Sequence, residues 1–357
     1  MKNRLLVILL LSLAYVFACQ TEIKEQVLEE PYSLELPADV IGMQIPVDNP
    51  LTKVGIDLGR RLFYDPILSS DSTQACVSCH QQHLAFTDGQ KLSQGVRGLL
   101  GTRNAMSLVN VGLYHDGLFW DGRVQTLEAQ SLHPITDEKE LAGNWPEILN
   151  RISNHSYYSG QFKTAFDLEH SDEIEATHIA KVLAQFERTL LSFDSKFDQV
   201  QRGTAEFTIA EQRGWTIFFD ASPDLPHAEC NHCHVDPLFT TLAFENNGLE
   251  VVSSLDAYLD KGRGSITHNR YDNGKFRVPT LRNIALTAPY MHDGRFKTLE
   301  EVIDHYVSGG HFSENVSPNV RALDLSAEDK ADLLAFLLTL TDTSFVSNPN
   351  FSNPFEL

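Results

Sequence analysis

Along the chain, apolar positions recur at the three-to-four-residue spacing of a helix face far more often than they alternate. Three stretches show it plainly: Ile174–Phe193, Ile209–Phe219 and Ala327–Leu340, the last preceded by Ser326 as a natural N-cap. A fourth helix is predicted from the capping box of Thr298, Leu299, Glu300 and Glu301. Leu299, Val302, Ile303 and Tyr306 then share its apolar face, with His305 about 100° away. Strand-like alternation is scarce, and clusters of Gly, Asn and Pro between helices predict long loops. The expected fold is mostly α, with little β.

The first residues follow a different pattern. Lys2 and Arg4 precede the apolar run Leu5–Leu13, and Ala18 stands just before Cys19. A charged start, a short apolar stretch and a small residue at the cut read as a secretory signal over 1–18. Cys19 is then expected to be acylated, as in a bacterial lipoprotein. Residues 19–46 are acidic and Pro-containing with little periodicity, which predicts a tether. The remainder suits two domains, 47–203 and 204–357, with the boundary near Gly203 and Thr204. A formal charge of −20 argues against nucleic acid and against attraction to anionic lipid, so membrane contact is expected only through a lipid on Cys19.

Cys19 takes one of 5 cysteines. The others fall as Cys76-Val77-Ser78-Cys79-His80 and Cys230-Asn231-His232-Cys233-His234, both C-x-x-C-H. That spacing is the attachment signature of c-type haem: two thioethers to the vinyl groups, and a following His placed under the iron. A four-Cys zinc site or disulfides would use the same thiols, but neither needs a His after each second Cys.

The chain also repeats itself. Arg103-Asn104 and then Asp121-Gly122-Arg123, Thr126-Leu127-Glu128 follow the first motif. Arg282-Asn283 and then Asp293-Gly294-Arg295, Thr298-Leu299-Glu300 follow the second. One haem-binding unit has therefore been duplicated, giving two cytochrome c-like domains with haem-wrapping loops. Matching the two T-L-E strings sets His133 opposite His305, and Pro134 opposite Tyr306. If that position faces the iron, the second haem is closed by a phenol and the first is open.

At these residues the chain resembles the bacterial di-haem cytochrome c peroxidase and MauG family, over about 47–340. The resemblance is carried by the two haem motifs, by Phe119-Trp120-Asp121-Gly122-Arg123, and by Pro279 through Gly294. It implies a peroxide site at the first haem and an electron-transfer site at the second. Gln130 and Glu140 match the family's distal glutamine and catalytic glutamate, and Trp120 its tryptophan between the haems. Asn104, with the carbonyls of Thr287 and Pro289, matches an inter-domain calcium site. Val96 stands where reductively activated members carry a His, and Tyr306 where those peroxidases carry a distal Met. Both departures resemble the MauG branch.

The resemblance implies a peroxidase, an oxidoreductase with hydrogen peroxide as acceptor. It also implies a periplasmic electron donor, such as a small cytochrome or cupredoxin, or a protein substrate. A homodimer is compatible with it, as is a place at the outer membrane of a Gram-negative cell. The alternatives are MauG-like oxidation of a partner protein or small molecule, and a non-catalytic di-haem electron carrier. Met291 reads as packing, and His133 and His305 as structural.

Overall fold

The computed structural model describes residues 31–356 apart from Ile41. The expected signal segment and Cys19 lie outside the described residues. Among those described, no helix is long and apolar enough to cross a membrane. From Pro31 onward the expected tether is laid against the body: Pro31 bridges Thr52, the Tyr32 amide donates to the Leu51 carbonyl, and Val40 is buried.

Helices dominate. In chain order they are α1 (Lys53–Tyr64), α2 (Leu127–Thr136), α3 (Trp145–Asn154), α4 (Ser156–Phe166), α5 (Ala176–Arg188), α6 (Lys196–Gln201), α7 (Ile209–Phe218), the single turn α8 (Gly264–Thr267), α9 (Leu299–Ser308), α10 (Ala327–Leu338) and the short α11 (Thr343–Val346). Side-chain oxygens of Thr52, Thr126, Thr208, Thr298 and Ser326 each accept an amide of the first turn that follows. These bonds satisfy amides the helix cannot. The strands are two residues each: β1 (Phe244–Glu245) pairs antiparallel with β2 (Phe276–Arg277).

The helix expected over Ile174–Phe193 stops at Arg188. The Thr189 hydroxyl donates to the Phe186 carbonyl, and the Asn110 side chain brackets the backbone of Ser192. Residues 189–195 are thereby drawn off the helix axis to carry the chain from the first core to the second. Leu58, Phe63, Phe86 and Phe186 centre the first core; Phe218, Phe239 and Phe336 centre the second. The chain end returns to the first core, where Phe345 and Phe351 are buried and the Tyr64 hydroxyl donates to the Phe351 carbonyl at 2.6 Å.

The duplication is visible in the packing. α1 crosses α5 and α7 crosses α10, each with a glycine at the contact. A Cβ on Gly59 would overlap the Val182 carbonyl, and one on Gly214 the Asp332 carbonyl. Gly214→Ala is accordingly expected to cost about 1–3 kcal/mol of stability, read as a lowered urea midpoint.

The structure also re-pairs one repeat. Asn283 corresponds to Asn110 rather than to Asn104. Asn110 and Asn283 both sit at positive φ, 57° and 60°, and each opens a 3₁₀ turn. Their amides donate to Leu190 and Leu340, and their side-chain oxygens accept from the amides of Ser192 and Asp342. The shared letters Arg-Asn misled because Val109 stands where the second half has Arg282.

Candidate functional site

Each C-x-x-C-H begins as a 3₁₀ turn, Cys76–Ser78 and Cys230–His232, closed by the amide of the terminal His donating to the carbonyl of the first Cys, at 3.0 and 2.9 Å. Both thiols of each motif thus lie on one face of a single turn. His80 Nδ1 lies 2.9 Å from the Phe86 carbonyl and His234 Nδ1 3.1 Å from the Phe239 carbonyl. A carbonyl only accepts, so Nδ1 carries the hydrogen and Nε2 keeps its lone pair. Burial lowers both imidazole pKa values, to about 4 for His234, and keeps the rings neutral. A neutral ring with a fixed Nδ1 and a free Nε2 is a ready iron ligand.

The four thiols do not converge. Among the described residues, the grouping whose ligand atoms lie close enough to share an ion is Asp220, Glu229 and His232, which holds no cysteine. A four-Cys zinc site is therefore not formed. Instead Cys230, Cys233 and His234 open onto a cavity of about 1780 Å³, mouth included, walled largely by apolar side chains. Tyr306 and Met291 face the same space. A planar apolar cofactor held by two thioethers and one imidazole fits this donor set and lining.

Tyr306 stands on α9, half-buried and facing the cavity beside buried Leu299 and Ile303. Burial pushes its phenol up to about 12, and Asn247 opposes that shift. Asn247 Nδ2 lies 3.4 Å from both the Tyr306 hydroxyl and the Met291 sulfur. Sequence reasoning missed Asn247, because nothing local marks it. His305 is bonded to the Asn247 carbonyl at 2.9 Å, a structural role.

Around the first motif, Glu140 is the informative group. It lies in the turn after α2, where the Val96 amide donates to its carbonyl at 2.9 Å. The loop around Val96 thus pins the Glu140 backbone. Burial raises the Glu140 carboxyl to about 7, with Asp137 adding and Arg123 opposing. Its charge is felt at Cys76 and at Cys79, so it faces the attachment turn. Gln130 is half-buried on α2, one turn from its start. Arg123, missed from sequence, lies over the Phe119 ring at 3.6 Å and pairs with Asp121.

Trp120 lies between the halves. Its indole N–H donates to the Asn104 carbonyl at 2.9 Å, and its own carbonyl accepts from the Arg277 amide at 2.8 Å. With Met106 it walls the second cavity, while the Met106 backbone also contacts His80. Asn104, Thr287 and Pro289 line that cavity as well. The seam is tied by Arg103, which grips Asp121 and Asp260, and by buried Arg277, which donates to carbonyls of Asp116, Gly117 and Leu242.

Comparison with known proteins agrees with this geometry. A family model described as di-haem cytochrome c peroxidase matches residues 53–206. The methylamine utilization protein MauG of Methylorubrum extorquens is 34% identical over 301 residues, covering 83% of this chain and 80% of that protein. The cytochrome-c peroxidase IdrP1 of Denitromonas iodatirespirans is 33% identical over 344 residues, covering 87% and 88%. The crystal structure of a MauG-like protein associated with microbial copper homeostasis matches with a TM-score of 0.84 at 40% identity, over 91% of this chain and 99% of that one.

Proposed function

Since the chain belongs to the di-haem cytochrome c peroxidase and MauG family, we propose that it reduces hydrogen peroxide at an open haem held by Cys76, Cys79 and His80. Oxidising equivalents or electrons then pass through a second haem held by Cys230, Cys233 and His234 and closed by Tyr306. Residues 47–203 and 204–357 hold one haem each. The observation that carries the reading is Glu140, a half-buried carboxyl lifted to about 7 beside the first attachment turn. An acid poised near neutrality suits proton transfer in both directions.

The bound haem supplies the iron at which peroxide attaches and the electrons that cleave its O–O bond. Glu140 takes the proton from the near peroxide oxygen and returns it to the far one, which leaves as water. Gln130 hydrogen-bonds the peroxide and orients it. Trp120 relays an electron between halves, its indole nitrogen fixed to Asn104. Asn104 and the carbonyls of Thr287 and Pro289, residues that line one cavity, would be the oxygen donors for a calcium ion between the halves. The Tyr306 oxygen would be the second protein ligand of the second haem and, deprotonated there, would lower its potential relative to a Met ligand. That anionic oxygen favours the MauG-like variant of the reading, in which the oxidising power goes to a partner protein or small molecule. The donor is a small periplasmic redox protein, and the mature chain is held at the membrane by a lipid on Cys19.

Electron paramagnetic resonance of the ferric holoprotein, before and after one equivalent of peroxide, tests the core of this. One high-spin and one low-spin signal with immediate peroxide reaction are expected. Two low-spin signals that ignore peroxide until half-reduction would refute the open first site. Tyr306→Phe is expected to abolish the low-spin signal assigned to the second haem while both haems stay covalently attached, as read by the same spectra and by mass.

A further inference from the structure

The two helix crossings match residue by residue. Gly59 meets Val182 and Phe186 as Gly214 meets Asp332 and Phe336. The Thr189 and Thr339 hydroxyls donate to the carbonyls of those same two phenylalanines, at 2.7 and 2.6 Å. This register sets Glu187 opposite Leu337. Leu337 lines the cavity of the second motif, so in the first half the same wall position carries a carboxyl group.

Glu187 is 6% exposed, and its Oε2 is buried without a hydrogen-bond partner. Its neighbour Arg188 turns away to grip Glu128 on α2 through both terminal nitrogens, at 2.7 and 3.1 Å. The Glu187 charge is felt at Cys76, which places it at the first attachment turn. Burying an unpartnered polar group is costly, and leucine serves the same place in the other half, so packing alone does not call for an acid.

We propose that Glu187 is a redox-linked proton site of the first haem. When that haem gains one electron from a one-electron donor, Glu187 takes one proton from solvent; when the electron leaves, the proton leaves. Buried charge is then conserved through the cycle. A carboxylate beside the oxidised centre is favoured by its extra positive charge, and the neutral acid is favoured once that charge is gone. Burial pushes the Glu187 carboxyl up to about 8, with Arg188 pulling it down and Glu128 adding to the rise, so the exchange falls in an accessible range. Two further acids act on this turn: Glu140, whose carboxyl is raised less, to about 7, and Asp88, whose charge is felt at Cys79 and His80. Cys76 is bonded to the haem and does not titrate.

This inference rests on the reading of the first motif as a haem site, and the test separates the two. The holoprotein and its Glu187→Gln and Glu187→Leu variants are assayed for haem content and then titrated spectro-electrochemically from about pH 6 to about pH 10. In the unaltered protein the potential of the first haem should fall as pH rises toward about 8 and level off above it. In both variants the part of the fall that belongs to Glu187 should be lost, and combining either with Glu140→Gln should leave the potential flat at its neutral-acid value, with the second haem unchanged. A redox-difference infrared spectrum should show a protonated carboxyl band on reduction that both variants lack. If both haems are present and the slope and band persist undiminished in either variant, or survive in the combined variants, the proton site is not Glu187. If the unaltered protein carries no haem on the first motif, the functional reading itself falls.

Discussion

Glu140→Gln is expected to slow peroxide consumption by about 10²- to 10⁴-fold, with both haems still attached. Glutamine keeps the shape and can still accept a hydrogen bond, but it cannot carry a proton from one peroxide oxygen to the other. The pH profile supplies a second, independent signature. Only the ionised carboxylate can take the first proton, and burial raises the Glu140 carboxyl to about 7. The rate of the unaltered protein should therefore climb as pH rises through about 7, where an ordinary carboxylate would already have levelled off. In the variant that ascending limb should vanish. Stopped-flow mixing with peroxide across this range reads both effects. A variant with an unaltered rate and limb would take Glu140 out of the proton path.

How much of this could be read from the letters alone depends on how local each signal is. The two attachment turns, the Thr298 capping box and the apolar face that carries Tyr306 depend on neighbours within a turn or two, and each stands where the sequence put it. Glu140 was legible only through the family resemblance, because its burial arises from distant chain: the loop at Val96 folds over a turn about forty residues later. Asn247, Arg277 and Met106 were invisible for the same reason, since their partners lie in the other half or across a cavity. Glu187 sits in a predicted helix among buried residues, and only the register with Leu337, a cavity-lining residue of the other half, sets it apart from them. The Arg-Asn repeat shows the reverse failure, a match of letters without a match of backbone. The true pair, Asn110 and Asn283, is recognised by its positive φ and its bonds to the crossing segments.

Those segments give the second large effect. Arg282 is 1% exposed and holds Asp198 through both terminal nitrogens, at 2.8 and 2.9 Å, while its Nε donates to the Pro237 carbonyl at 2.6 Å. Asp198 also accepts from the Ser195 amide and hydroxyl at the start of α6. Burial alone would raise the Asp198 carboxyl, but the bonds and charge of Arg282, with those from Ser195, outweigh it and hold the pKa below the usual carboxylate value. Arg282→Ala strands that carboxylate in the interior and is expected to cost about 3–5 kcal/mol. Removing both charges, as Arg282→Met with Asp198→Asn, should recover much of the loss, because the penalty lies in the unpaired charge.

The pH dependence has a fixed sign. A depressed carboxyl stabilises the fold above its unfolded pKa, and that contribution is lost as pH falls through the lower folded value. The unaltered protein should therefore lose stability on acidification in that window, and Arg282→Ala should lose less there, having already lost the pair. Denaturant midpoints measured across acid pH test both statements. The consequence reaches the site, because Asn283, next in the chain, holds the Asp342 amide and the Ser192 hydroxyl across the two cores. Loosening Arg282 should thus slow electron exchange between the haems while both stay covalently attached, and a full-strength exchange rate in a destabilised Arg282→Ala protein would uncouple this seam from function.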